Sequence, residues 1–404
     1  MGLAKNQMIE YQERGYGSLD KMVCSDCVGD YALKNYIIEN GESDTCSYCS
    51  NETICISGEE LIGEIMSGIF YEYEKAINVM SVEKGEYKNA DTWGTYDLIY
   101  DHLAYDMELD DDLLDDVYNT IEDDIWCERD PYRLRENSEK LSLWDEFCKM
   151  VKEKTRYVFF RMPERDEYNE DAPFTVLDYI GEKVEKLALI EEVPSNTRFF
   201  RARMHNEEET FEFPKDICSP PSHKAKSNRM SAEGISIFYG ANNTRTSILE
   251  IYDPKYTFVT VAEFFNLRQL IILDLTKIGP ITFPSLFDRK NRENRQAILF
   301  LRKLNENIVR PIDTMESIEY IPAQIVAEYF RYIYLYRGIH IDGIKYGSSK
   351  DDNGICYALF FNNKQCKESN ERFRFEQQEL KLVPDSITKY RVTMKNEIEY
   401  IKVC

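Results

Sequence analysis

The sequence predicts an α+β protein in three consecutive parts: an N-terminal zinc-binding segment, a helical bundle and a C-terminal mixed α+β domain. Three observations predict it. Two Cys-x-x-Cys pairs fall within residues 23–50. Apolar residues then recur at helical spacing from about residue 58 to 192. From about residue 195, short runs rich in β-branched and aromatic residues alternate with helical ones. A chain of 404 residues is too long for one ordinary core. The expected domains are 1–57, 58–192 and 193–404, the last ending in a charged tail, with the main break near Pro194 in "EEVPSNTRFF".

Composition narrows the function classes. A hydrophobic content of 43% with 28 Tyr and 21 Phe is ample for packed cores despite the charge. The net charge of −23 repels nucleic-acid backbones, so no nucleic-acid partner is expected. No run approaches the roughly 20 apolar residues that span a bilayer, so no membrane association is expected. "MGLAKNQMIEYQERG" lacks the apolar core of a secretion signal, and Gln7 stands where myristoylation needs Ser or Thr. Seven of the eleven cysteines are scattered, which fits reduced thiols. A cytoplasmic protein is expected.

In the first part, Cys24 and Cys27 form one pair and Cys46 and Cys49 the other, with 18 residues between them. That spacing suits a zinc site. Four thiolates satisfy a tetrahedral ion and leave no place for water, so the expected zinc is structural. "DYALKNYIIEN" has helical periodicity and would bring the pairs together. Cys55 is near enough to substitute, but the paired spacing favours the other four.

In the second part, "GEELIGEIMSGIFYEYEKAINVM" puts Leu61, Ile62, Ile65, Ile69 and Tyr73 on one helical face. Asp110, Asp111, Asp112, Asp115 and Asp116 lack calcium-loop spacing and read as a solvated helix face. The Arg-x-x-x-x-His pattern of helical nucleases is missing, so RNA cleavage is disfavoured.

In the third part, "RFFRARM", "ISIFYGA", "TFVTVAEF", "QLIILDL", "IDGIKYGS" and "ICYALFF" read as strands. "RTSILEIY" and "PAQIVAEYFRYIYLY" read as helices, and "RKNRENRQAILFLRKLNENIVR" as an amphipathic one. "SSKDDNGIC" reads as a hairpin connection with Asn-Gly at its turn.

This third part resembles the RES domain family, small α+β enzymes that destroy NAD+ and resemble ADP-ribosyltransferases in fold. The resemblance rests on "FFRARM", on "PPSHKAKSNRMSAEGISIFYGANNTRTSILEI", on "YIPAQIVAEYFR" and on "IDGIKYGSS", in that order. By motif position the arginine, glutamate and serine that name the family would be Arg201, Glu250 and Ser348, with Ser349 as the register alternative. The zinc pairs followed by helices resemble the HEPN-like N-terminal domain found fused to RES domains. The chain departs from the family at Asn228, where glycine is common, at Ala323 and at Phe200.

The resemblance implies cleavage of the nicotinamide–ribose bond of NAD+, by hydrolysis or phosphorolysis. Such a reaction needs no histidine base, because nicotinamide leaves from a pyridinium cation and departs neutral. It needs electrostatic stabilisation of a ribosyl cation in a site that excludes water. Glu250 would supply the carboxylate, with Thr246 one turn earlier orienting it or capping the helix. Arg201 would grip the pyrophosphate or a ribose, and Arg203 shares its strand face. Arg229 would make a second phosphate contact. Tyr239 would pack against nicotinamide, and Ser348 would hydrogen-bond the substrate amide or Glu250. His223 and His205 read as loop or surface residues. The family also implies a toxin or defence effector that depletes NAD+, with an inhibitory antitoxin or regulatory protein as partner. The alternatives are an ADP-ribosyltransferase acting on a macromolecule and a non-enzymatic binding module.

Overall fold

The computed structural model describes residues 14–83, 86–87, 90–130, 136–158, 175–206, 209–309, 317–367, 378–394 and 398–402. Most of the N-terminal stretch read for targeting, and Cys404, lie outside these. The chain divides into two compact units, Met1–Glu139 with Thr282–Leu299, and Lys140–Ile281 with Phe300–Cys404. This grouping differs from the expected boundaries for a packing reason. Leu286 and Phe287 bury in the same core as Ile62, Ile65 and Ile69, and Gly68 leaves room for the Phe287 ring. Trp144, Phe147, Val176 and Ile180 instead share a core with Phe300, Phe330 and Ile344. Periodicity shows that a helix has an apolar face, not what that face meets.

The first unit opens with strand β1 (Met22–Cys24), helix α1 (Tyr31–Asn40) and strands β2 (Glu42–Thr45) and β3 (Glu52–Ser57), paired in the order β1-β3-β2. Asp30 caps α1 by accepting from the N–H groups of Ala32 and Leu33. Ser57 and Glu60 form a reciprocal cap at the start of α2 (Gly58–Glu72). Leu61, Ile62, Ile65 and Ile69 are fully buried on its inner face, each contributing about 1.5–3 kcal/mol. Tyr73, expected on that helix, is buried but begins strand β4 (Tyr73–Lys75). With β5 (Trp93–Gly94) and β6 (Ile125–Glu128) it forms a three-stranded sheet that the helical reading missed. Two- to four-residue strands are too short to show alternation. Between them lies α3 (Asp111–Thr120), capped by Asp110, with Leu113 and Val117 inward. Asp111, Asp112 and Asp115 are exposed, and Asp116 pairs with Lys21 at 2.5 Å. The acidic cluster is the solvated helix face that its spacing suggested.

The second unit contains most of α4 (Glu136–Lys149), α5 (Thr175–Lys186) and one large mixed sheet. Its strands are β7 (Ile190–Val193), β8 (Arg198–His205), β9 (Phe238–Ala241), β10 (Phe258–Asn266) and β11 (Leu270–Asp274). They continue with β12 (Gly343–Gly347), β13 (Ile355–Leu359), β14 (Cys366–Lys367), β15 (Leu380–Leu382), β16 (Thr388–Met394) and β17 (Ile398–Lys402). The order is β14-β15-β10-β8-β9-β13-β12-β11-β7, with β16 also on β10 and β17 on β16. Helix α6 (Thr244–Ile251) follows β9 directly, and α7 (Arg295–Val309) and α8 (Ile321–Tyr332) precede β12.

Three local readings change. Only Phe238–Ala241 of "ISIFYGA" is strand. The β12–β13 hairpin forms, with Gly347 opposite Ile355, but Asn353 and Gly354 are not its two-residue turn. Neither has the positive φ such a turn requires, and residues 348–354 form a longer loop. His205 is fully buried, not at the surface. Its Nδ1 lies 2.6 Å from the Asn206 carbonyl and its Nε2 2.9 Å from Thr260 Oγ1. Burial pushes its pKa down, so the neutral ring suits this network.

Candidate active site

The centre of the large sheet brings together β8, β9, β13 and β12, and a cavity of about 430 Å³ opens beside them. That size suits a small-molecule site. Arg201, Arg229, Tyr239 and Glu250 all line it. They arrive from four separate places: β8, the loop before β9, β9 itself and α6.

Strand β8 is anchored along its length, with Arg201 opposite Ala262 on β10. The Arg201 guanidinium donates to the carbonyls of Ile217 and Tyr239 at 2.8 and 2.6 Å. It also lies 5.5 Å from the centre of the Phe238 ring. Arg201 therefore joins three segments of the cavity wall while keeping further N–H groups for a ligand. Burial lowers its pKa from the usual guanidinium range, yet arginine stays charged in proteins.

Arg229 sits at a tight turn in which Asn228 and Ser231 exchange backbone hydrogen bonds at 2.8 and 3.3 Å. Asn228 does not have positive φ, so the turn has no need of the family's glycine. Gln324 of α8 donates to the carbonyls of Asn228 and Ser231 at 2.7 and 3.1 Å and fixes the turn from outside. The Arg229 guanidinium lies 5.6 Å from the centre of the Tyr346 ring. Its Nη1 is buried and has no hydrogen-bond partner among the described residues. A buried charged donor left bare is costly unless a ligand completes it.

Tyr239 presents its ring to the cavity, while its hydroxyl takes the Met230 N–H at 3.1 Å and meets Ser231 Oγ at 3.0 Å. Burial raises its pKa to about 12, so it stays a neutral phenol. The hydroxyl holds the Arg229 turn.

Glu250 is set by a strand–turn–helix. Asn242 pairs with Ile355 of β13 through its backbone N–H at 2.9 Å and its side-chain oxygen at 3.1 Å. Asn243 then caps α6 by accepting from the Thr246 N–H at 2.9 Å. One helical turn later, Glu250 Oε1 accepts from Ser348 Oγ at 2.5 Å. The serine that meets Glu250 is thus Ser348, while its neighbour Ser349 lines the cavity. Thr246 neither orients Glu250 directly nor caps α6; its hydroxyl donates to Asp351 at 2.5 Å.

Other expected residues are elsewhere. Arg203 is exposed, donates to the Asp216 carbonyl at 2.6 Å and does not line the cavity. His223 is exposed and also outside it. Conversely, Tyr346, Cys356, Lys350 and Tyr320 line the cavity without having been singled out. Tyr346 lies within "IDGIKYGSS" two residues after Ile344 and on the same strand face, which was the available signal. Burial and the neighbouring Glu250 push the Cys356 thiol up, so it is no nucleophile at neutral pH.

The first unit holds a separate centre. The Sγ atoms of Cys24, Cys27, Cys46 and Cys49 all lie within 4.8 Å of one another. Cys24 is 3.8 Å from Cys27 and 3.5 Å from Cys49, and Cys27 is 3.7 Å from Cys46. A tetrahedral zinc with bonds of about 2.3 Å has sulfur–sulfur edges of about 3.8 Å, so the four thiols fit such an ion. Burial raises the Cys46 thiol, but N–H groups of the Cys46–Cys49 turn outweigh it and bring its pKa to about 7. Cys55 pairs opposite Cys24 across the sheet and its thiol donates to the Asp44 carbonyl, so it is no fifth ligand.

Fold and cavity together define an α+β domain whose central cavity is lined by two arginines and a carboxylate. Residues 198–382 match the RES domain, and residues 39–165 match HEPN/RES N-terminal domain 1. The chain therefore carries a RES domain behind an N-terminal HEPN/RES domain, and RES domains act on NAD+. No curated protein and no solved structure matches the chain. No helix among the described residues is long and apolar enough to cross a membrane.

Proposed function

We propose that this protein cleaves the bond between nicotinamide and ribose in NAD+, with water or phosphate as acceptor. One observation carries the reading: Glu250, held by Ser348, lines the same cavity as Arg229, whose Nη1 has no hydrogen-bond partner among the described residues. Two arginines, Arg201 and Arg229, line that cavity in a chain of net charge −23, while Lys350 Nζ is given to the Glu250 carbonyl. Such a lining selects an anion, and a dinucleotide pyrophosphate provides one.

In this reading, Arg229 and the free donors of Arg201 hold the pyrophosphate, and the Tyr239 ring packs beside the nicotinamide. The C1′–N bond breaks with its electron pair moving to the ring nitrogen, which neutralises the pyridinium. Positive charge develops on the ribose, and the Glu250 carboxylate stabilises it. The acceptor oxygen then bonds to C1′; water loses its second proton to solvent, whereas hydrogen phosphate brings a ready nucleophile. The Ser348 hydroxyl fixes the Glu250 rotamer and is not itself the nucleophile.

The four-cysteine centre is read as structural zinc, the ion that suits four thiolates and no open site. The family supports a cytoplasmic NAD+-depleting toxin or defence effector held in check by an antitoxin or other regulatory protein. Purified protein mixed with NAD+ should release nicotinamide, and chromatography should separate ADP-ribose from its 1″-phosphate. Label transferred to protein instead would favour an ADP-ribosyltransferase. No release where a positive control works would remove the enzyme reading.

A further inference from the structure

The loop 348–354 holds α6 at both ends. Toward the helix C-terminus, Ser348 Oγ donates to Glu250 Oε1 at 2.5 Å and Lys350 Nζ donates to the Glu250 carbonyl at 3.2 Å. Toward the N-terminus, Thr246 Oγ1 donates to Asp351 Oδ2 at 2.5 Å, and Arg245 Nε lies 3.9 Å from Asp351 Oδ1. A carboxylate near a helix N-terminus is electrostatically favoured.

Short internal bonds make these two attachments one piece. The Lys350 N–H donates to Ser348 Oγ at 3.1 Å. The Ser348 N–H donates to the Gly354 carbonyl, and the Gly354 N–H to the Asp351 carbonyl, both at 2.8 Å. Gly354 packs flat on Thr246: a Cβ there would stand 2.6 Å from Thr246 Cγ2 and 2.8 Å from its Oγ1. The loop can sit this close only because residue 354 has no side chain. Thr246 and Glu250 are four residues apart on one helix face, so a loop seated on the first is delivered to the second.

We infer that Asp351 is a positioning residue: by accepting the Thr246 hydrogen bond it seats the loop so that Ser348 reaches the Glu250 carboxylate. The inference rests on the role proposed for Glu250. Loops are mobile by default, and a hydroxyl must be held in place to fix a carboxylate's geometry. Arg201 and Arg229, which bind the proposed substrate, do not touch this loop. Losing the seat therefore lowers kcat and spares KM.

Thr246→Val keeps shape and removes the hydroxyl; Thr246→Ser keeps the hydroxyl; Asp351→Ala removes the acceptor. Each full-length variant is assayed for nicotinamide release and for amide exchange at Ser348 and Gly354. Thr246→Val and Asp351→Ala should lower kcat about tenfold or more with KM within about twofold, and exchange at both amides should accelerate. Thr246→Ser should stay within about twofold of the parent. Unchanged kcat in Asp351→Ala, unchanged exchange, or Thr246→Ser as impaired as Thr246→Val would each overturn the inference. Should Thr246→Val fail to fold, Asp351→Ala decides alone. Wild-type protein that releases no nicotinamide refutes the proposed activity instead, and the exchange rates still judge the loop's seating.

Discussion

In the cysteine segment the reactive atoms face one another; in the RES domain the site residues are spread around a cavity. Four thiols converge to within 4.8 Å and enclose a point that fits one ion. Arg201, Arg229, Tyr239 and Glu250 instead surround about 430 Å³. The first arrangement can be completed by a metal and then does nothing more. In the second, Arg229 Nη1 has no partner among the described residues, and the proposed ligand would complete the site. A polar cluster's purpose thus shows in whether its members satisfy each other.

The largest effect should come from breaking the closed centre. Purified protein should carry one zinc, and a strong chelator or Cys27→Ser should unfold the cysteine segment, a loss on the order of 10 kcal/mol. Metal analysis and circular-dichroism melts check this; a melt unchanged by chelation would show that the thiols need no ion. Next comes the open centre. Glu250→Gln should cut nicotinamide release about 1,000-fold, or about 4 kcal/mol of transition-state stabilisation, with Tm within about 2 °C of the parent. Full activity in that variant would move the carboxylate's role elsewhere.

Arginines in the second unit sharpen the contrast. Arg268 makes a two-pronged pair with Asp342 at 2.6 and 2.9 Å and meets Glu379 at 2.7 Å. Asp342 and Glu379 are largely buried, so Arg268→Ala strands two carboxylates and should destabilise the fold by about 3 kcal/mol. Denaturant unfolding measures it. Arg229 has no carboxylate partner among the described residues, so Arg229→Lys should leave stability near the parent's. It should raise KM for NAD+ about tenfold, roughly 1.4 kcal/mol, because lysine lacks the planar fork. A stability loss in Arg229→Lys matching that of Arg268→Ala would erase the distinction.

Much of this was legible in the sequence. Cysteine spacing is a local signal, and the two pairs do converge. Helix α2 followed from its periodicity, and most strands of the large sheet from their composition. Glu250 meeting Ser348 came from motif order, not from any local property of either residue. What stayed hidden was long-range. Nothing in "LFDRK" says that Leu286 and Phe287 pack on α2, and nothing in "TRT" says that Thr246 turns to Asp351, 105 residues on. His205 looked like a residue just past a strand, but β8 runs through it and Thr260 takes its ring on the next strand.

Arg203 tests how far strand alternation can be trusted for function. It shares the β8 face with Arg201, two residues away, and alternation alone gives both the same role. Yet the wall of the cavity is made by what covers the strand, and the covering changes within that distance. Arg201 is enclosed by Ile217, Tyr239 and Phe238, whereas Arg203 lies 5.0 Å from the centre of the Phe211 ring and is exposed. An exposed hydrogen bond to one carbonyl contributes little, about 0.5–1.5 kcal/mol at most. Arg203→Ala should therefore keep kcat and KM within about twofold, while Arg201→Ala lowers both activity and stability because it removes the link between three wall segments. Steady-state kinetics on the two variants, side by side with their melts, checks this. A KM rise in Arg203→Ala as large as that of Arg229→Lys would mean that the substrate extends past the cavity along β8.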